Sequence, residues 1–264
     1  MKLLFVILLP LSCLAQTVGT IAAPPGFERM PVAGGSFGQW LRSISLKKSN
    51  TVYLYNGQPK GNQQAQAAVL DVSVGNKDLQ QCADAVMRLR AEWLYAHQQY
   101  DRIAFRATDG TLLSYAAWQQ GCRYRLQGQR LVKICNGEKG NNRAAFRAYL
   151  ELVFSYAGTS SLQRELVPAA GKAVWPGDVF IQGGSPGHAV IVMDVITNHR
   201  GQYKFMLAQS YMPAQDIHIL KNPADGSCWY DANTGGMLRT PEWTFAGNAL
   251  YKWPDGNAST LTPR

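Results

Sequence analysis

Apolar side chains recur along this chain with two different periods, and each period assigns a type of element. Leu79, Cys82, Val86, Leu89 and Trp93 fall three or four residues apart, the spacing that gathers side chains onto one face of an α-helix. Asp78 with Gln81 three residues later forms a capping pair, so the pattern predicts a helix from Leu79 to about His97. A second helix is predicted from Asn142 to Tyr156, with Phe146, Tyr149, Leu150 and Val153 on one side. Thr51 to Tyr55, Ala67 to Val74 and Ile103 to Phe105 read as strands, with Asn56-Gly57 and Gly61-Asn62 supplying turns between the first two. Cys122 to Cys135 reads as a hairpin turning on Gly128-Gln129, in a register that sets Gln127 against Arg130 and Cys122 against Cys135. Further on, Pro176-Gly177-Asp178 leads into a strand ending at Ile181, and Gly183 to Gly187 is a loop. His188 to Val195 is an almost wholly apolar strand of the kind that lies inside a sheet. After a turn near Asn198 to Gly201, Tyr203 to Gln209 continues an antiparallel meander.

The remaining segments lack such periods. Residues 16–31, with Ala23-Pro24-Pro25-Gly26, read as an irregular leader, and the C-terminal portion, rich in Trp, Pro and Gly, as coil wrapped over the domain. The expected fold class is α+β, a capped helix carrying a cysteine near its N-terminus packed on a mostly antiparallel sheet. No repeat, low-complexity tract or linker divides residues 16–264, which read as one domain.

Composition narrows the class. A chain of 264 residues with 46% hydrophobic and 16% charged side chains is not disordered and can bury a sizeable core. Twenty-five Gly, 13 Pro and 11% aromatic residues point to many short elements rather than a helical bundle. The formal charge is +9, yet the longest basic run is the pair Lys47-Lys48. That dispersion argues against a nucleic-acid footprint and suits contact with an acidic envelope polymer or lipid head groups.

Lys2, the apolar run Leu3 to Leu11 and Cys13-Leu14-Ala15 have the form of a secretory signal, so residues 1–15 are expected to be removed and the mature chain to begin at Gln16. The competing expectation is a lipoprotein signal acylated at Cys13, although Pro10 stands where such signals carry an aliphatic residue. No later stretch approaches the roughly 18 apolar residues needed to span a bilayer. A secreted or periplasmic protein follows. Four cysteines then remain, of which Cys122 and Cys135 fall in a non-hydrogen-bonded cross-strand pair suited to a disulfide. Cys82 and Cys228 are two buried thiols, a second disulfide, or include one reactive thiol.

Counted from the Asp78 cap, Cys82 is the fourth residue of its helix, where the helix dipole lowers a thiol pKa and raises nucleophilicity. Its place on the apolar face equally suits a core cysteine. His188 opens a buried strand directly behind a glycine-rich loop that permits close backbone approach. A cysteine and histidine acting together need a third polar group to fix the ring tautomer. Gln209 ends the next strand and would lie beside His188; Asp194 shares the face of His188 by parity but is roughly 20 Å along the strand. The amide of Cys82, assisted by Gln81 or Asn76, would hold an oxyanion. Asp216 and His218 offer two metal ligands on one strand face, a spacing that often arises by chance, and no metalloprotease, Cys-x-x-Cys, phosphate-loop or Gly-x-Ser-x-Gly motif occurs, so no metal or cofactor is expected.

Pro176-Gly-Asp-Val-Phe-Ile, the glycine-rich interval and Gly187-His188-Ala-Val-Ile-Val resemble the second half of the NlpC and CHAP classes of papain-like cysteine hydrolases. The resemblance implies a papain-like core with Cys82 as nucleophile, His188 as general base and Gln209 as orienting residue. It also implies amide cleavage in cell-wall peptides. Gln81-Cys82-Ala83-Asp84 departs from the usual Asp-Cys-Ser-Gly of NlpC-type enzymes, and the 106-residue interval from Cys82 to His188 is longer than usual. Leu79 to Glu92, Gly177 to Val192 and Leu207 to His218 resemble an uncharacterised family of secreted bacterial proteins, the domain of unknown function numbered 4846.

Two functions are therefore expected to compete. One is a secreted cysteine hydrolase acting on an amide bond of a cell-envelope peptide. The other is an inactive envelope binding protein on the same scaffold, holding a glycan or peptide through Trp175, Tyr211 and Trp243.

Overall fold

The computed structural model describes residues 16–169, 171, 173–232 and 236–254; the signal-peptide expectation for residues 1–15, Cys13 included, lies outside them. The helices are α1 (Phe37–Ser43), α2 (Cys82–Ala96), α3 (Tyr115–Gln119), α4 (Arg143–Tyr156) and α5 (Thr159–Glu165). The first strands are β1 (Phe27–Arg29), β2 (Gln66–Val69), β3 (Ala104–Arg106), β4 (Leu112–Ser114), β5 (Cys122–Gln127), β6 (Arg130–Cys135) and β7 (Val167–Pro168). They are followed by β8 (Val179–Gln182), β9 (His188–Asn198), β10 (Tyr203–Gln209), β11 (His218–Leu220), β12 (Tyr230–Asp231), β13 (Met237–Arg239), β14 (Thr244–Ala246) and β15 (Leu250–Lys252). Among the described residues no helix is long and apolar enough to cross a membrane.

The class is α+β around one antiparallel sheet ordered β2-β11-β10-β9-β8-β15-β7, with β1 on the far end of β9 and β12 on β10. Alternation along β9 and β10 explains its two covered faces. Ala189, Ile191, Met193, Met206 and Ala208 join the core built by α1, α2 and α4. Val190, Val192, Phe205 and Leu207 face the other way, into a second cluster closed by Leu238 and Phe245 of the β13–β14 hairpin. Helix α2 packs against β9, α1, α4 and α5, which is why Arg88 and Arg90 are buried along with its apolar residues.

Several local expectations are corrected. Helix α2 starts at Cys82, so that residue is the first of the helix and not the fourth. Asp78 accepts the Ala214 N–H at 2.7 Å, tying the preceding loop to the segment after β10. The acid that serves the helix start is Asp84, whose Oδ2 accepts the Gln81 N–H at 2.9 Å. Residues 16–31 are not an irregular leader: Val18 is fully buried in a 3-10 turn and β1 pairs with β9. Thr51 to Tyr55 forms only single bridges, Tyr53 to Pro59 and Leu54 to Gln215. The C-terminal coil is replaced by the five short strands β11 to β15. The register also shifts between Met206 and Leu207, whose partners are Asp194 and Val192, leaving Met193 as an extra residue. Such a bulge reverses parity. Asp194 consequently binds Arg42 of α1 at 2.6 Å and Arg29 at 2.8 Å on the helix-covered side, not on the face of His188.

The hairpin follows the expected register, Cys122 opposite Cys135 and Gln127 opposite Arg130, and the disulfide is formed. Gly128 takes φ +63°, the left-handed conformation that the first position of this turn demands. Cys82 and Cys228 are free and buried.

Candidate functional site

Three strand ends meet on the face opposite α2. His188 opens β9, Gln209 closes β10 and His218 opens β11, with Gln209 and His218 paired across the ladder. All three side chains are buried. Gln209 Oε1 lies 2.8 Å from His188 Nε2, and Gln209 Nε2 lies 2.6 Å from Glu242 Oε2 and 3.4 Å from His218 Nε2. Lys60 Nζ donates to the same Glu242 oxygen at 2.6 Å.

The chemistry of the partners fixes every proton in this chain. An ionised carboxylate only accepts, so the Gln209 amide nitrogen must face Glu242 and its oxygen must face His188. That oxygen also only accepts, so His188 carries its proton on Nε2 and leaves Nδ1 as a lone pair. Nδ1 makes no hydrogen bond among the described residues. His218 Nδ1 donates to the Asp216 carbonyl at 2.9 Å, leaving its Nε2 to accept from Gln209. Burial lowers His188 to about 4, against the raising influence of Gln209 and Glu242, and also lowers His218 to about 4. Both rings are neutral at neutral pH. Burial likewise pulls the Lys60 ammonium down, opposed by Glu242.

Cys82 enters from the other side of the sheet. The β9–β10 ladder ends at Ile191 and Ala208, and the N–H of Ala189, next to His188, turns to the Cys82 sulfur. The loop before α2 is held there by Ser210, whose single hydroxyl proton is shared between the carbonyls of Gln80 at 3.0 Å and Gln215 at 2.8 Å. Burial pushes the Cys82 thiol up to about 11; the Ala189 N–H lowers it and the Asp84 carboxyl raises it. The helix start is expected to depress this thiol; here loss of hydration is the largest influence and acts the other way, against the backbone N–H groups. No hydrogen bond joins the sulfur to His188 among the described residues. Asp84, itself buried, is pushed up to about 8, and its Oδ1 has no hydrogen-bond partner among the described residues.

Aromatic rings enclose His188. Their centroids lie at 4.9 Å for Tyr211, 5.3 Å for Trp243 and 5.8 Å for Phe245. Tyr211 also lies within electrostatic reach of Cys82. Of the three expected contact residues, Trp175 is not among these rings; it packs against the second core cluster, its N–H bonded to Asp178 at 2.8 Å. Gln81 is the half-buried N-cap of α2 and Asn76 is exposed. Asp216 is taken up by both of its contacts to Lys47, each 2.9 Å, and by the Tyr53 N–H. Glu242, Lys60 and Phe245 are the members of the site that the sequence did not single out. No period marks them, and Glu242 and Lys60 come from segments with no assigned element.

No curated protein and no solved structure matches the chain. The model of one family, the domain of unknown function 4846, matches residues 18–252, and the chain belongs to that family.

Proposed function

We propose that the protein is an exported cysteine hydrolase of papain-like design that cleaves an amide bond in a cell-envelope peptide. The observation that carries this is the directed chain Lys60, Glu242, Gln209, His188, which fixes the proton on Nε2 and leaves Nδ1 as a base. Cys82 lies one residue away along the backbone contact to Ala189. Attack requires the Cys82 side chain to turn toward Nδ1. The thiol proton passes to Nδ1 as sulfur bonds to the carbonyl carbon, and the imidazolium then protonates the departing amine. Water, deprotonated by the same nitrogen, hydrolyses the thioester and restores the thiol. The Cys82 amide and the Gln81 side chain are the donors for the oxyanion. Since both partners rest neutral, the imidazole acts as a general base and no ion pair exists beforehand. The Cys122–Cys135 disulfide is compatible with an exported chain.

The test needs no substrate. Alkylation of Cys82 by iodoacetamide at neutral pH is compared with that of Cys228, which burial also pushes up to about 11. In the hydrolase, His188→Ala slows labelling of Cys82 and leaves Cys228 unchanged. Insensitivity of Cys82 to that substitution removes the base and the mechanism. On a panel of wall-derived peptides, Cys82→Ala abolishes turnover while the circular dichroism is retained. The second function, an inactive binding protein, is favoured by the aromatic enclosure of His188 and by the missing sulfur–imidazole bond. It is the outcome if a wall peptide binds Cys82→Ala and wild type equally and neither turns it over.

A further inference from the structure

The β5–β6 hairpin forms a two-stranded sheet apart from the central one. Its strands and turn, residues 122–135, contain Arg123, Arg125, Arg130 and Lys133 and no acidic residue. Side chains directly opposite in an antiparallel pair share a face. The register puts Tyr124, Leu126, Leu131 and Lys133 on one face, and Arg123, Arg125, Gln127, Arg130, Val132 and Ile134 on the other. Tyr124 and Leu131 are buried, so the second face is turned outward. Arg123 is folded back, with its guanidinium 4.0 Å from the Trp118 ring centroid and bonded to three carbonyls. Arg125, Arg130 and Lys133 are exposed and make no ion pair among the described residues. Asp109 lies within electrostatic reach of Arg130 and accepts the N–H groups of Leu131 and Thr111.

Apolar groups are exposed among these cations. Leu126, beside the turn, is 59% exposed and Val132 is 38% exposed. Leu126 also lines a cleft of about 340 Å³, whose other walls include Ala107, Leu131, Tyr156 and the acidic residue Asp109. A soluble polyanion would use the charges and leave both apolar side chains in water. A boundary between phosphate and hydrocarbon uses both kinds of group. We infer that the hairpin docks the protein, turn first, on an anionic lipid surface, with Arg125 and Arg130 on head-group phosphates and Leu126 and Val132 at the acyl boundary. The inference is independent of the chemistry at Cys82.

The full, disulfide-bonded chain is sedimented with vesicles of phosphatidylcholine alone or with phosphatidylglycerol. Binding is expected only to the anionic vesicles and falls with salt. At roughly fivefold per cation near such a surface, Arg125→Gln with Arg130→Gln weakens partitioning by about 25-fold. Leu126→Ser weakens it with no change of charge. Lys48→Gln with Arg200→Gln removes the same charge from exposed positions elsewhere and has a far smaller effect. All these side chains are exposed, so each variant folds, as near-ultraviolet circular dichroism checks. The inference is overturned if anionic vesicles are not bound, or if the two charge pairs weaken binding equally. It is also overturned if Leu126→Ser binds vesicles and soluble polyphosphate as well as wild type does, in which case the hairpin is a polyanion site. Failure to bind either would leave its cations as guards of an open strand edge.

Discussion

A neutral amide orients a histidine only if both of its own ends are held, and Gln209 is held at both. Its oxygen accepts the hydrogen bond of His188 Nε2–H and its nitrogen is fixed by Glu242, which is fixed in turn by Lys60. Gln209→Leu leaves two buried polar groups without partners, at about 1–3 kcal/mol each. It also frees the ring to exchange tautomers, which the nitrogen chemical shifts of His188 report. Glu242→Gln behaves differently, because a glutamine there still accepts from Gln209 and preserves the tautomer. It leaves the buried Lys60 without a counter-ion and costs about 3 kcal/mol by urea unfolding, recovered in part by adding Lys60→Met. In the proposed hydrolase, His188 at about 4 also sets a pH limit on turnover. Above that pH the ring is a base; below it the ring is protonated and inactive. The acid limb of kcat/KM is expected near pH 4, not near the 6.5 of a free histidine. Consecutive strands made the pairing of His188 with Gln209 legible from the sequence. Glu242 and Lys60 were not legible, because 33 and 182 residues separate the members of each contact and no period links them.

Elements were legible where their contacts are local. The β5–β6 register follows from one turn, and α4 from four apolar positions that are all buried, capped by Asn142. The start of α2 was not, because two acids compete for the role and only the fold shows that Asp78 is used by Ala214. The bulge at Met193 was equally hidden, since an extra residue in a run of apolar side chains leaves no gap in the pattern. The loop between β8 and β9 is the element on which the site depends most. A Cβ on Gly187 would lie 2.5 Å from the Gly184 carbonyl and the Thr159 hydroxyl and 2.8 Å from the Gln182 carbonyl. Two of those three neighbours are backbone, so the loop must move, and His188 follows it. Gly187→Ala is expected to lower stability by about 1–3 kcal/mol in thermal unfolding and to shift the His188 ring resonances. Retention of wild-type values for both would show the loop to be slack. The Cys122–Cys135 crosslink closes a separation of 13 residues, so replacing both by Ser is expected to cost up to about 3 kcal/mol in urea.

For the molecule as a whole, the buried titratable groups of the two faces pull stability in opposite directions as pH changes. His188 and His218 are both lowered from 6.5 to about 4 on the face away from α2. Between those values the unfolded chain binds the protons, so each histidine destabilises the fold as pH falls, by about 1.4 kcal/mol per pH unit. Asp84, at the start of α2, is raised from 3.8 to about 8 by burial. Over that window the folded chain holds the proton, so stability from this group is complete below pH 4 and is lost as pH rises through 8. The three groups together make stability climb from pH 4 to about 6.5, two protons against one, and then decline toward pH 8 as Asp84 alone remains. Asp84→Asn separates the contributions. An asparagine oxygen can still accept the Gln81 N–H but carries no charge to bury, so the decline above pH 6.5, about 2 kcal/mol in the wild type, should disappear. Below pH 6.5 the slope should double, because the opposing proton is gone. Urea unfolding of both proteins at pH 5, 6.5 and 8 measures each segment of the curve. A variant that still declines between pH 6.5 and 8 would place the responsible group elsewhere than beside Cys82.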